Sequence, residues 1–103
     1  MEIKTVPFQL GRIVFTHGVS DLMDSDSRFA NFLQTCISRH KKCDWGIISD
    51  ENWDKNDDAV SHGGGIISNY IYRDTSGEGK DRTMSIITEA DRSATIVGFE
   101  ETF

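Results

Sequence analysis

The stretch "SIITEADRSATIVGF", residues 85–99, decides how the rest of the chain is read. Two apolar runs rich in β-branched residues flank a short charged segment, Glu89, Ala90, Asp91, Arg92 and Ser93. Strand formers on both sides of a turn-forming cluster predict two adjacent strands, "TMSIITEA" and "SATIVGF", paired as a hairpin. Asp91 and Ser93 suit the turn because short polar side chains bond nearby backbone N–H groups. Arg92 is expected to tie to a carboxylate.

Working toward the N-terminus, "SGEGKD" reads as a flexible turn, and "GIISNYIYRD", rich in Ile and Tyr, as a third strand. Before it, "SDENWDKNDDAVSHGGG" reads as a surface helix. Ser49 is its N-cap, Asp50 and Glu51 occupy the favourable first turn, and the glycines at 63–65 end it. Trp53, Asn56, Asp57 and Val60 form a thin stripe on one face. The clearest helix is "SRFANFLQTCISRHKK": Phe29, Phe32, Leu33, Cys36, Ile37 and His40 recur at helical spacing as one apolar stripe, of which Phe29, Phe32, Leu33 and Ile37 are expected to be buried against the sheet. Ser25, Asp26 or Ser27 can cap it, and Arg39, Lys41 and Lys42 crowd its end. "CDWG" stops it, with Gly46 suited to a left-handed turn and Trp45 packing back on the core. "HGVSDLMDS" reads as a short helix and "LGRIVFT" as the first strand, with Pro7 just before it.

The order is therefore strand, helices, then three strands. It predicts one α+β domain over residues 1–103: an antiparallel sheet of about four strands, one N-terminal plus a C-terminal three-stranded meander, with two to three helices packed on one face. A length of 103 residues suits one core, and 37% hydrophobic residues argue against disorder. No apolar run approaches a membrane span, and "MEIKTVPFQL" lacks a secretory h-region, so a soluble, cytoplasmic chain is expected. The net charge of −6 argues against holding nucleic acid through phosphate neutralisation, permits a basic partner, and in itself is what keeps a small protein soluble.

Three segments together carry a resemblance: "PFQLGRIVFTHG", the block running from Arg39 to Tyr70, and "IITEADRSAT". The matching positions are Pro7, Gly11, Thr16 and Gly18; then Arg39, His40, Asp44, Trp45 and Gly46; then Asn56, Ala59, Gly64, Gly65, Ser68 and Tyr70; and the run Ile87 to Thr95. In these the chain resembles a family of small uncharacterised proteins carried on plasmids, conjugative elements and phage-like DNA, loosely attached to restriction systems. It departs from the family pattern by the inserted "KKC" after His40 and by its acid-rich helix. The resemblance implies a mobile-element accessory role in a bacterial host. Interference with host defence, by an anti-restriction or anti-CRISPR action, is the expectation that follows.

Several side-chain groupings invite chemistry. Cys36, His40 and Cys43 offer soft ligands, but zinc needs four, and His17 or His62 would have to be imported; no metal and no cofactor is expected. "HGGG" at 62–65 resembles an esterase oxyanion loop, yet the G-x-S-x-G elbow is absent and a helix stop accounts for it. "GEG" followed by Lys80 lacks a strand–loop–helix frame around it. No catalytic residue is assigned. The partner-binding expectation rests on two acidic stretches. Asp50, Glu51, Asp54, Asp57 and Asp58 could imitate a row of DNA phosphates and attract a basic groove, or form a solvated helix face. Glu89, Asp91 and Arg92 make the second. The expected partner is a host defence protein or nucleoprotein complex with a basic surface, without direct nucleic-acid or membrane binding. Two alternatives stay open: an enzyme acting on a small molecule or nucleotide with Glu89, Asp91, Arg92 and His40 in one pocket, and a self-associating accessory protein, such as a homodimer.

Overall fold

The computed structural model describes residues 7–73 and 79–103. Its hairpin is the one the 85–99 stretch predicts: β3 (Arg82–Thr88) and β4 (Ala94–Phe99) pair antiparallel, with Thr88 opposite Thr95, Ile86 opposite Val97 and Met84 opposite Phe99. Strand alternation puts these six side chains on one face, and all six are buried. β2 (Ile66–Tyr72) adds antiparallel to β3 and brings Ile66, Ser68 and Tyr70 to the same face. Residues 76–78 of the "SGEGKD" turn expected between them lie outside the described residues.

Three helices precede β2: α1 (His17–Ser25), α2 (Ser27–Lys41) and α3 (Asp50–His62). Asp26 caps α2, its Oδ1 accepting from the N–H groups of Arg28 and Phe29 at 3.0 and 3.2 Å. Ser49 caps α3 through the N–H of Asn52 at 3.1 Å. Val19 of α1 and Phe29, Leu33 and Cys36 of α2 close over Tyr70, Met84, Ile86, Val97 and Phe99 to form the main core. Each such large apolar side chain contributes roughly 1.5–3 kcal/mol by leaving water. Phe32 and Ile37, expected in the core, are only half-buried at its margin. The α2 stripe is wider than the sheet strip it covers, and its flanks stay wet. A second cluster gathers Phe8, Trp45, Ala59 and Ile66.

The sheet corrects the expected arrangement. β1 (Arg12–Phe15) lies outside β4 and runs parallel to it, so the order is β1-β4-β3-β2 and the sheet is mixed, not antiparallel. The reason lies where β1 enters. Gly11 (φ +65°) presses on the hairpin turn so closely that a Cβ would sit 2.3 Å from the Arg92 carbonyl oxygen, and the N–H of Arg12 donates to the Ser93 carbonyl at 3.0 Å. β1 therefore starts at the end of the sheet where β4 starts, and must run the same way. At its far end Thr16 turns the chain directly into α1. The fold class stands as α+β, with three helices and four strands.

Candidate functional site

The hairpin turn is tied into the fold from several sides. Ser93 N–H donates to Asp91 Oδ1 at 2.9 Å, and Ser93 Oγ donates to Glu89 Oε2 at 3.1 Å. The Ser93 hydroxyl, whose one proton is within reach of both carboxylates, and then the Ser93 N–H hold the Asp91 carboxyl below the usual carboxylate range. Arg92 adopts φ +62°, a left-handed conformation that costs a non-glycine residue about 1 kcal/mol. Its guanidinium offsets this. One terminal nitrogen donates to the Gly64 carbonyl at 2.6 Å and to the Glu89 carbonyl at 3.1 Å; the other donates to the Ala59 carbonyl at 2.8 Å. Arg92 thus bonds backbone carbonyls at and just beyond the C-terminal end of α3, not the carboxylate that the sequence predicts. Helix ends leave carbonyls without partners, and a fork of five donors at the negative end of the dipole answers that need.

The α3 acids are placed differently. Asp50, Glu51, Asp54, Asp57 and Asp58 are all exposed. At about 100° per residue they fall within a stripe roughly 120° wide. Asp57 leaves the set in part, because its Oδ1 accepts the indole N–H of Trp45 at 3.0 Å. Glu51 meets Lys55 at 3.3 Å and Asp58 meets His62 at 3.0 Å, both as solvent-exposed pairs one turn apart. Asp50 and Asp54 have no ion-pair partner among the described residues. The opposite face of α3 is anchored by Ala59 and by Asn56. Asn56 accepts from the N–H of Ile67 at 3.2 Å and donates to its carbonyl at 2.7 Å, standing in for a neighbouring strand. A sequence stripe of Trp53, Asn56, Asp57 and Val60 therefore hides two anchoring polar contacts.

His40 does not join Glu89, Asp91 and Arg92. It is fully buried beneath Phe8 and Trp45, with ring centroids 5.5 Å from each. Its Nδ1 lies 2.5 Å from Ser68 Oγ and its Nε2 2.9 Å from Thr88 Oγ1; Thr88 Oγ1 lies 2.8 Å from Thr95 Oγ1, which donates to the Leu10 carbonyl at 2.7 Å. The terminal carbonyl can only accept, so the proton order follows. Thr95 gives its proton to Leu10, Thr88 gives to Thr95, Nε2–H gives to Thr88, and Ser68 gives to the bare Nδ1. The ring is neutral, and burial pushes its pKa down to about 4. This chain of hydroxyls was not read from the sequence, although Ser68, Thr88 and Thr95 at inward positions of apolar strands are its visible trace.

The other groupings are likewise placed. Cys36 belongs to the main core and Cys43 to the second cluster; burial pushes the Cys36 thiol up to about 12, far from a thiolate. Among the described residues no three His, Cys, Asp or Glu side chains converge as a metal site. Gly63 (φ +89°) stops α3, its N–H returning to the Ala59 carbonyl at 2.9 Å, so "HGGG" is a helix end. Of "GEGK", the residues at 77 and 78 lie outside the described set. Three surface hollows are lined by residues 80–83 with Glu100 and Glu101, by the outer side of α2, and by residues 8–11 with Lys41; none of the three includes Glu89, Asp91, Arg92 or His40. No helix among the described residues is long and apolar enough to cross a membrane.

Arg39, Asp44, Gly46 and Tyr70 act as fastenings. Arg39 and Asp44 form a two-pronged pair at 2.8 and 3.2 Å, and Tyr70 Oη donates to the Asp44 carbonyl at 2.6 Å. At Gly46 (φ +72°) a Cβ would lie 2.0 Å from the Asn69 carbonyl oxygen. No protein-family model, curated protein or solved structure matches the chain.

Proposed function

We propose that the chain is a binding module that presents the acidic face of α3 to a basic surface on a protein partner. The observation that carries this reading is the stripe Asp50, Glu51, Asp54 and Asp58, exposed along one side of a helix that is pinned at both ends and along its back. A rigid row of carboxylates meets a preset array of Lys and Arg without first losing conformational freedom. The Glu89–Ser93 turn supports this face without being part of it: Arg92 docks the turn on the C-terminal end of α3. A groove built for DNA phosphates is the surface such a row fits. With the resemblance to mobile-element proteins, this makes the module a cytoplasmic inhibitor of a bacterial host defence complex, of the anti-restriction or anti-CRISPR kind. Chemistry at His40 finds no support in a site sealed by Phe8 and Trp45.

The test is protection. Expressed in bacteria with a restriction or CRISPR system, the protein should raise the plating efficiency of a targeted phage at least tenfold, on the order of one standard step in an equilibrium constant. Its affinity for the complex it blocks should fall as salt rises, since exposed charges are screened within about 10 Å at 0.1 M. Unchanged plating against both kinds of system would remove the inhibitor reading.

A further inference from the structure

The two edges of the sheet are treated differently. At the β2 edge the Asn56 side chain satisfies both backbone groups of Ile67, and the segment 45–47 bridges to Asn69: Asn69 N–H donates to the Trp45 carbonyl at 3.2 Å and Ile47 N–H to the Asn69 carbonyl at 2.8 Å. The opposite edge is β1, and among the described residues nothing pairs with its outer side. The N–H groups of Arg12 and Thr16 donate inward, to the Ser93 and Val97 carbonyls, both at 3.0 Å. Strand alternation then turns the N–H and C=O of Ile13 and Phe15 outward. Ile13, Val14 and Phe15 are 38, 37 and 36% exposed. Edge strands are ordinarily blunted by shortness, charge, Pro, a bulge or a covering loop; β1 has four residues and the single charge of Arg12, and among the described residues no Pro, bulge or covering loop guards its outer side.

We propose that β1 pairs antiparallel with β1 of a second copy of this chain, about a two-fold axis through Val14. The register is dictated by the outward groups. All of them are satisfied when Ile13 faces Phe15 of the second copy and Phe15 faces its Ile13, which sets Val14 opposite itself at the wide, non-hydrogen-bonded position. The strand is complementary to itself in side chains and in charge. Ile13 and Phe15 are an aromatic/β-branched pair, of the kind that stabilises cross-strand neighbours. The only charge on β1 is Arg12, and in this register it falls opposite Thr16, never opposite another Arg12. It arrives at the end of the sheet where β4 continues into Glu100 and Glu101, so a cation is carried toward anions in a chain of net charge −6. The row Ile67, Ile87, Ile96 and Val14, in register across all four strands, runs on through the axis into the second copy. An isologous contact of this type closes at two chains. With α3 packed at the β2 edge, the two acidic faces stand at opposite ends of one eight-stranded sheet, both free. Such edge pairing buries little area, so the association is reversible, with a dissociation constant in the micromolar range.

Sedimentation and crosslinking test this directly. The wild-type chain should approach twice its mass of 11.6 kDa at concentrations above micromolar. Val14→Lys, which sets two cations on the axis, should keep it monomeric. In a Cys43→Ser background, Val14→Cys should oxidise to a disulfide-linked dimer, because wide-pair Cα atoms lie about 4.5 Å apart, within disulfide range. Ile13→Cys, facing Phe15, should not crosslink. Circular dichroism identifies any variant that fails to fold; the two cysteine variants, which change no charge, then decide. A wild-type chain that stays monomeric through the same range, or Ile13→Cys crosslinking as well as Val14→Cys, would overturn the proposal.

Discussion

The Glu89–Ser93 turn and the α3 face are both acidic stretches beside apolar runs, yet they do opposite things. In the turn, Ser93 is shared between Asp91 and Glu89, and Arg92 spends its donors on α3 carbonyls. Along α3, Asp50 and Asp54 have no ion-pair partner among the described residues, and the helix is gripped from the other side by Asn56 and Ala59. Charge density alone does not separate an architectural segment from a presenting one. The partners of each charged group do, and here they divide the molecule into a fastened frame and a free face.

The comparison can be strained hardest at the frame. Phe29→Ala empties a fully buried aromatic site and should cost about 3–5 kcal/mol, read as a lowered urea midpoint. Unchanged stability would mean that α2 does not pack on the sheet as described. Next in size is the buried imidazole. His40 in the folded state has its pKa depressed from 6.5 to about 4. Its contribution is therefore fully present above pH 6.5 and drains away as pH falls toward 4, because the unfolded chain takes up the proton first. The loss should reach about 3 kcal/mol, and His40→Leu should flatten that part of the stability profile. An equal slope in the variant would place the acid sensitivity elsewhere.

Arg92→Ala sharpens the contrast itself. It removes the guanidinium that ties the turn to the Ala59 and Gly64 carbonyls, of which Ala59 keeps the Gly63 N–H, and should destabilise by about 1–2 kcal/mol, measured by denaturation. Arg92→Gly, which relieves the left-handed backbone, should recover part of that loss. If Arg92→Ala were neutral, the turn would be surface rather than frame. Smallest of all is the effect on stability of reversing Asp50, Asp54 and Asp58 to Lys, which should stay within about 1 kcal/mol, because these groups are exposed and only Asp50, in the first turn, opposes the helix dipole when reversed.

Much of the frame was legible because local signals agreed with one another. The two runs around residues 89–93 gave the hairpin, the α2 periodicity gave its buried face, and Asp26, Ser49 and Gly63 marked helix ends. The parallel placement of β1 was not legible, since it depends on Gly11 meeting Arg92 and Ser93 across most of the chain length. Arg92 was misassigned to a carboxylate for the same reason: its partners, the Ala59 and Gly64 carbonyls, are distant in sequence and carry no side-chain signal. The hydroxyl chain to His40 needs three strands and a helix brought together before it exists. The acidic residues of α3 were visible as a stripe, but the role of Asp57 as acceptor for Trp45 was not.

The division between fastened frame and free face is tested most directly by comparing two folded variants for protection of a targeted phage. One reverses Asp50, Asp54 and Asp58 to Lys. The other carries Glu89→Gln and Asp91→Asn, which remove the charge of the turn but keep its hydrogen-bond acceptors. Plating efficiency should fall to that of cells lacking the protein for the α3 reversal, and stay near wild type for the turn variant. Protection that survives the reversal, or that disappears in the folded turn variant, would contradict the account and move the binding surface to the Glu89–Ser93 turn.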